Sequence, residues 1–166
     1  LYGALREQMV LLEESGVSYT MVPGVSSFAA AAAAMGKEYT LPEVTQTVIL
    51  TRMAGRTPVP ERESLGKLAT YGASMVIFLS IQFIDKVVED LKQGYDVDTP
   101  VAVVYKASWK EEKIIRGTLD DIAGKVRKEG LSRSALILVG RFLSEPVSRS
   151  KLYNGSFTHG CREGYR

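Results

Sequence analysis

The chain has 166 residues and a net charge of +2, with 45% hydrophobic and 24% charged residues. It can therefore bury a core, and it is neither disordered nor basic enough to coat a polyanion such as nucleic acid. One cysteine, Cys161, and one histidine, His159, exclude an internal disulfide and every standard structural zinc set. No apolar run reaches membrane-spanning length and no secretory pattern opens the chain, which predicts a cytoplasmic globular protein without a metal of its own.

Leu1-Tyr2-Gly3-Ala4 leads at once into a helix in which Leu5, Met9 and Leu12 recur at helical spacing and which Gly16 stops. No capping residue precedes it, so the opening reads as a βα junction entered midway, and a strand and loop are expected upstream. Ser18 to Val22 reads as a short strand ending at Pro23-Gly24. A small-residue helix follows from Ser26 through six alanines, Ala29 to Ala34, closed by Met35-Gly36. Thr45 to Thr51 alternates and is β-branched, so it predicts a strand. Arg52 to Pro60, with Gly55, Pro58 and Pro60, is the longest loop signal. Glu61 to Tyr71 reads as a helix, Met75 to Ser80 as a buried strand, and Gln82 to Lys92 as a helix ending at Gly94.

Pro100 to Lys106 and Glu112 to Gly117 follow as strands, Leu119 to Lys128 as a helix ending at Gly130, and Ala135 to Gly140 as the last strand. From Ser144 onward no period is present. Strands alternating with helices predict an α/β fold, a mixed but mostly parallel sheet flanked by helices. The short link between the strands near 102 and 114 requires one antiparallel pair. The implied organisation is a linking helix and strand over 1–22, an α/β lobe over 23–143 and an irregular tail over 144–166.

The glycine-rich nucleotide loops and the nucleophile elbow of α/β enzymes are absent. Three stretches remain as candidates. Pro23-Gly24-Val25-Ser26-Ser27 turns a corner and sets hydroxyls and N–H groups at a helix start, which suits a ligand or simply caps a packed helix. The loop from Thr51 to Arg62 carries Arg52, Arg56 and Arg62, able to grip carboxylates or to remain solvated. The strand ends Phe78-Leu79-Ser80 and Tyr105-Lys106-Ala107-Ser108-Trp109 lie where open α/β sheets keep their ligands. Trp109 fits either a lid or a loop anchor. His159 lies in the tail and reads best as solvated.

These stretches, together with Pro100-Val101-Ala102-Val103-Val104 and Ala135 to Gly140, resemble the tetrapyrrole C-methyltransferases along the whole chain. The loop Gly55-Arg56-Thr57-Pro58 and the tail Ser156-Phe157-Thr158-His159-Gly160 point to the members that methylate carbon 11 of precorrin-4 or cobalt-precorrin-4 in cobalamin synthesis. The resemblance implies a two-lobed homodimer binding S-adenosylmethionine between its lobes, with this chain as the second lobe. Leu1-Tyr2-Gly3 resembles the end of the family's Gly-Asp-Pro-x-x-x-Gly motif, whose start would lie upstream. Carried over position by position, the cofactor contacts are Leu1, Ser26, Ser27, Leu79 and Ala107, and Ser26-Ser27 and Leu79 stand where relatives often have Thr-Ala and Met. Arg52, Arg56, Arg62 and Lys106 are the expected carboxylate clamps of the acceptor. Glu61, Tyr105 and His159 remain alternatives for a base. Methylation at another position, or a non-catalytic dimerisation lobe, are the other readings.

Overall fold

The computed structural model describes residues 4–144 together with 158 and 160. Helix α1 spans Leu5–Glu14 and α2 spans Ser27–Met35. Strand β1 is Val48–Arg52, α3 Leu65–Ala69, β2 Ser74–Phe78 and α4 Ile84–Leu91. The chain then forms β3 (Pro100–Tyr105), β4 (Lys113–Thr118), α5 (Ile122–Lys128) and β5 (Ala135–Val139). The helix read at 61–71 is interrupted: a 3-10 turn over Glu61–Glu63 is cut from α3 by Ser64, whose ψ of 144° leaves the helical region.

The five strands form one sheet in the order β1-β2-β5-β3-β4. Only β1 and β2 pair in parallel, whereas β5 runs antiparallel to both β2 and β3, and β3 to β4. The sheet is mixed and flanked by helices as expected, but the parallel majority is wrong. Each strand–helix–strand link does preserve direction. However, the β3–β4 hairpin reverses the chain, so the crossover through α5 delivers β5 reversed into the gap between β2 and β3. A second correction concerns Ser18 to Val22, which forms no strand. A strand needs a neighbour for its ladder, and among the described residues none pairs with this segment.

The period of two along each strand sorts side chains onto the two faces. Met75, Ile77, Val101, Val103, Ile137 and Val139 pack beneath α3, α4 and α5, against residues such as Leu65, Val87, Leu91, Ile122 and Val126. Val76, Ala102, Val104, Leu136 and Leu138 pack on the other face with Ala31 and Met35 of α2 and with Phe142. Gly36, at φ 61°, ends α2: its N–H donates to the Ala33 carbonyl and the Lys37 N–H to the Ala32 carbonyl. Tyr39 pins this layer, donating its hydroxyl to the Phe28 carbonyl at 2.6 Å while its ring lies 5.1 Å from that of Phe142. Helix α1 buries none of its residues. Among the described residues no helix is long and apolar enough to cross a membrane.

Candidate active site

Strands β1, β2 and β3 point the same way, so their carboxyl ends share one edge of the sheet with the entrance to β5. The register fixes this: Arg52 is level with Phe78, and Tyr105 with Ala135. Arg52 therefore leads its loop off the edge from which Leu79 and Lys106 leave their strands. A cavity of about 420 Å³ opens there, lined by Phe78, Leu79, Ile81 and Gln82 after β2, and by Val104, Lys106, Ala107 and Trp109 at the end of β3. Ser132 to Leu136 and Ser27 of α2 complete it.

The backbone is bent hard around this space. Leu79, Lys106, Ser108 and Ser134 hold φ values of 55°, 48°, 70° and 56°. Side-chain-bearing residues pay on the order of 1–3 kcal/mol for such conformations, and they collect at functional sites. The Lys106 N–H donates to the Ser134 carbonyl at 2.9 Å, tying two of these residues together. The Ser108 N–H donates to Glu112 Oε2 at 2.7 Å, which holds the turn after β3. One consequence is that Leu79 is thrust outward with 79% of its surface exposed, an apolar group with no core role.

Ser27, Leu79, Lys106 and Ala107 thus meet in one cavity. Ser26 does not line it. Ser26 is the residue before α2, where its carbonyl accepts from the N–H groups of Ala29 and Ala30. Its side chain makes no capping bond, so the first N–H groups of α2 are left without a side-chain acceptor. Lys106 Nζ sits 5.1 Å from the centre of the Trp109 ring, 5.4 Å from that of Tyr105 and 3.9 Å from Glu111 Oε2. Trp109, 63% exposed, is at once part of the cavity wall and the platform for that ammonium.

The arginine loop is built differently from the expected triple clamp. Arg52 turns its guanidinium on its own loop, donating to the carbonyls of Met53, Thr57 and Pro58, the last at 2.8 Å. The three contacts fold residues 53–58 around one side chain. Arg56 makes no hydrogen bond or ion pair among the described residues, and Arg62 reaches only Glu63, at 3.7 Å. None of the three arginines lines the cavity. Ser80 fastens the loop to β2: its buried hydroxyl accepts from the Met53 N–H at 2.9 Å and donates to the Phe78 carbonyl at 2.7 Å.

Neither Glu61 nor Tyr105, two of the candidate bases, lines the cavity. Tyr105 packs toward the layer of α3, α4 and α5, and Glu61 is bound to Lys67 at 2.8 Å. Leu1 and His159 lie outside the described residues, as does most of the tail. Among the described residues no group of three or more His, Cys, Asp or Glu side chains is placed to hold a metal ion. Sequence reasoning missed Gln82, in the turn after β2, and the run Ser132-Arg133-Ser134, which enters the cavity because β5 is reversed.

With this geometry in place, comparison with known proteins is informative. The family profile described as Tetrapyrrole (Corrin/Porphyrin) Methylases matches residues 1–123. A cobalt-precorrin-4 C(11)-methyltransferase of Methanocaldococcus jannaschii is 52% identical over 168 residues, an alignment covering 100% of this chain and 65% of the relative. A precorrin-4 C(11)-methyltransferase of Pseudomonas aeruginosa is 49% identical over 165 residues, covering 99% and 66%. The chain thus spans about two thirds of the length of these curated relatives, slightly less in each case. The solved structure of a cobalamin biosynthetic enzyme, the cobalt precorrin-4 methyltransferase CbiF, superposes with a TM-score of 0.84 at 49% identity, over 87% of this chain and 61% of that one.

Proposed function

The chain belongs to the tetrapyrrole (corrin/porphyrin) methylases, and from that premise we propose that it transfers a methyl group from S-adenosylmethionine to ring carbon 11 of precorrin-4 or cobalt-precorrin-4. The observation that carries this reading is the single cavity whose lining includes Ser27, Leu79, Lys106 and Ala107. Relatives named for the cobalt-bearing and the cobalt-free substrate are 52% and 49% identical, so both acceptors stay within the proposal.

When bound, S-adenosylmethionine supplies a methyl group on a sulfonium that is already electrophilic. The chain's task is then to align and to exclude water, and positioning of this kind contributes up to ~7–11 kcal/mol. Leu79, Ile81 and Ala107 give the cavity an apolar wall. Such a wall suits a transition state in which positive charge is being lost at sulfur. Ser26 and Ser27 offer hydroxyls and backbone N–H groups at the start of α2 to the polar end of the donor, and Leu1 is the proposed contact on the side that the described residues do not cover. Arg56 and Arg62 are proposed to hold acidic side chains of the acceptor, Lys106 to add a third positive charge, and Arg52 to act through the loop it shapes. Residues 23–143 form the proposed methylase lobe, with 1–22 linking to it and 144–166 as its tail. The extra length of the relatives supports a further lobe in the working enzyme, and the family resemblance supports a cytoplasmic homodimer.

The test is methyl transfer from labelled S-adenosylmethionine to precorrin-4 and cobalt-precorrin-4, using protein expressed from the whole reading frame. The expected result is label at carbon 11, with KM for the acceptor raised about tenfold in Arg56→Ala, as loss of a charge-assisted contact requires. Donor binding without transfer to either tetrapyrrole would refute the assignment of the acceptor.

A further inference from the structure

The cavity carries a charge that the methyl transfer leaves unexplained. Lys106 and Arg133 both line it, and no Asp or Glu does. Lys106 is engaged by Glu111 and by the Tyr105 and Trp109 rings. Arg133 makes no hydrogen bond or ion pair among the described residues. Arg127 is committed to Asp85, Arg141 to Asp96 and Asp98, and Arg52 to its loop carbonyls, and the other arginines without a side-chain partner among the described residues, Arg56 and Arg116, do not line this cavity. A guanidinium that rims an apolar space with its fork of donors unused is matched to a planar anion.

Its backbone setting is fixed as well. Ser134, next in sequence, holds a φ of 56° and takes the Lys106 N–H on its carbonyl, while Lys106 holds a φ of 48°. The two cations are therefore set on adjoining strand ends, joined by a hydrogen bond between two left-handed residues. We propose that Arg133 is a carboxylate-binding residue of this cavity, gripping an acidic group of a bound ligand with its planar fork. This rests on the reading of the cavity as the site where donor and tetrapyrrole meet. Both of those ligands bear carboxylates: the donor one at its amino-acid end, the tetrapyrrole several on its periphery. Carboxylate is thus the shared chemistry, and Lys106 adds a second positive charge beside it.

The experiment uses protein from the whole reading frame and three probes. Isothermal titration with S-adenosylhomocysteine and with 5′-methylthioadenosine, which keeps the nucleoside but lacks the carboxylate, tests the donor. Fluorescence titration with uroporphyrin, a polycarboxylate porphyrin, tests the acceptor. Arg133→Gln is expected to weaken S-adenosylhomocysteine about tenfold or more with 5′-methylthioadenosine unchanged, which assigns the group to the donor, or to weaken the porphyrin by that factor, which assigns it to the acceptor. Arg133→Lys, keeping charge without the fork, is expected to recover part of the loss. Arg127→Gln on the opposite layer, with circular dichroism on every variant, reports any general effect on folding. Affinities for all three probes within twofold of the unsubstituted protein overturn the proposal, as does equal weakening of the two nucleosides. An unsubstituted protein that binds none of the probes refutes the reading of the cavity, and the proposal with it.

Discussion

Replacing Ser80 with alanine isolates the joint between the arginine loop and the sheet. The hydroxyl makes two hydrogen bonds, accepting from the Met53 N–H at 2.9 Å and donating to the Phe78 carbonyl at 2.7 Å, and it is 1% exposed. Each such bond contributes roughly 0.5–1.5 kcal/mol, and a buried donor left unpaired costs about 1–3 kcal/mol. Met53 is itself buried, so water cannot readily replace the lost acceptor. The expected loss is about 2–3 kcal/mol, read as a shift in the urea midpoint at unchanged m-value, or as a fall in Tm of about 5–10 °C for a chain of this size. Ser80 and Arg52 hold the same loop from two sides, so Ser80→Ala and Arg52→Met should be non-additive by about 0.5–1.5 kcal/mol in a double-mutant cycle. A loss under about 0.5 kcal/mol, or strict additivity with Arg52→Met, would refute the idea that one buried hydroxyl fastens this loop.

Three further outcomes are expected. Gly94→Ala should destabilise by more than about 3 kcal/mol, because a Cβ there would land on the backbone carbonyl of Ala69 where α3 and α4 close together, and chemical denaturation measures it. Leu79→Gly should leave stability within about 1 kcal/mol, since relief of its left-handed backbone offsets the flexibility of glycine, yet it should weaken S-adenosylhomocysteine in calorimetry; a stability loss of several kcal/mol would show that Leu79 belongs to the core. Burial pushes the Tyr39 and Tyr95 phenols up to about 12. Above pH 10 the unfolded chain therefore gives up these protons before the folded one does, so stability should fall between pH 10 and 12. Phenolate absorbance should show Tyr39 and Tyr95 titrating late, and titration of every tyrosine near pH 10 would contradict the burial.

The sequence by itself determined the local elements and much of the chemistry. The continuous apolar runs Met75 to Phe78 and Val101 to Val104 fix strands buried on both faces, and the six alanines before Gly36 fix a helix able to lie close against the sheet. The strand-end argument, sharpened by the resemblance, also picked out Leu79, an exposed leucine that no periodicity argument would select. What the sequence left undecided was long-range. Arg52 looked like a substrate clamp, and only folding showed its guanidinium turned onto the carbonyls of its own loop. Ser18 to Val22 had the residues of a strand but, among the described residues, no neighbour to pair with. The direction of β5 is the deepest case. The run Ala135 to Val139 is the same apolar string whichever way it is inserted, and local propensity carries no information about that choice. Pairing with β2 and β3 decides it, reversing β5 so that its entrance rather than its exit faces the cavity. Arg133 reaches the site for that reason alone: hydrogen-bond ladders between residues far apart in sequence, not the preferences of any one segment, set which end of a strand meets the ligand.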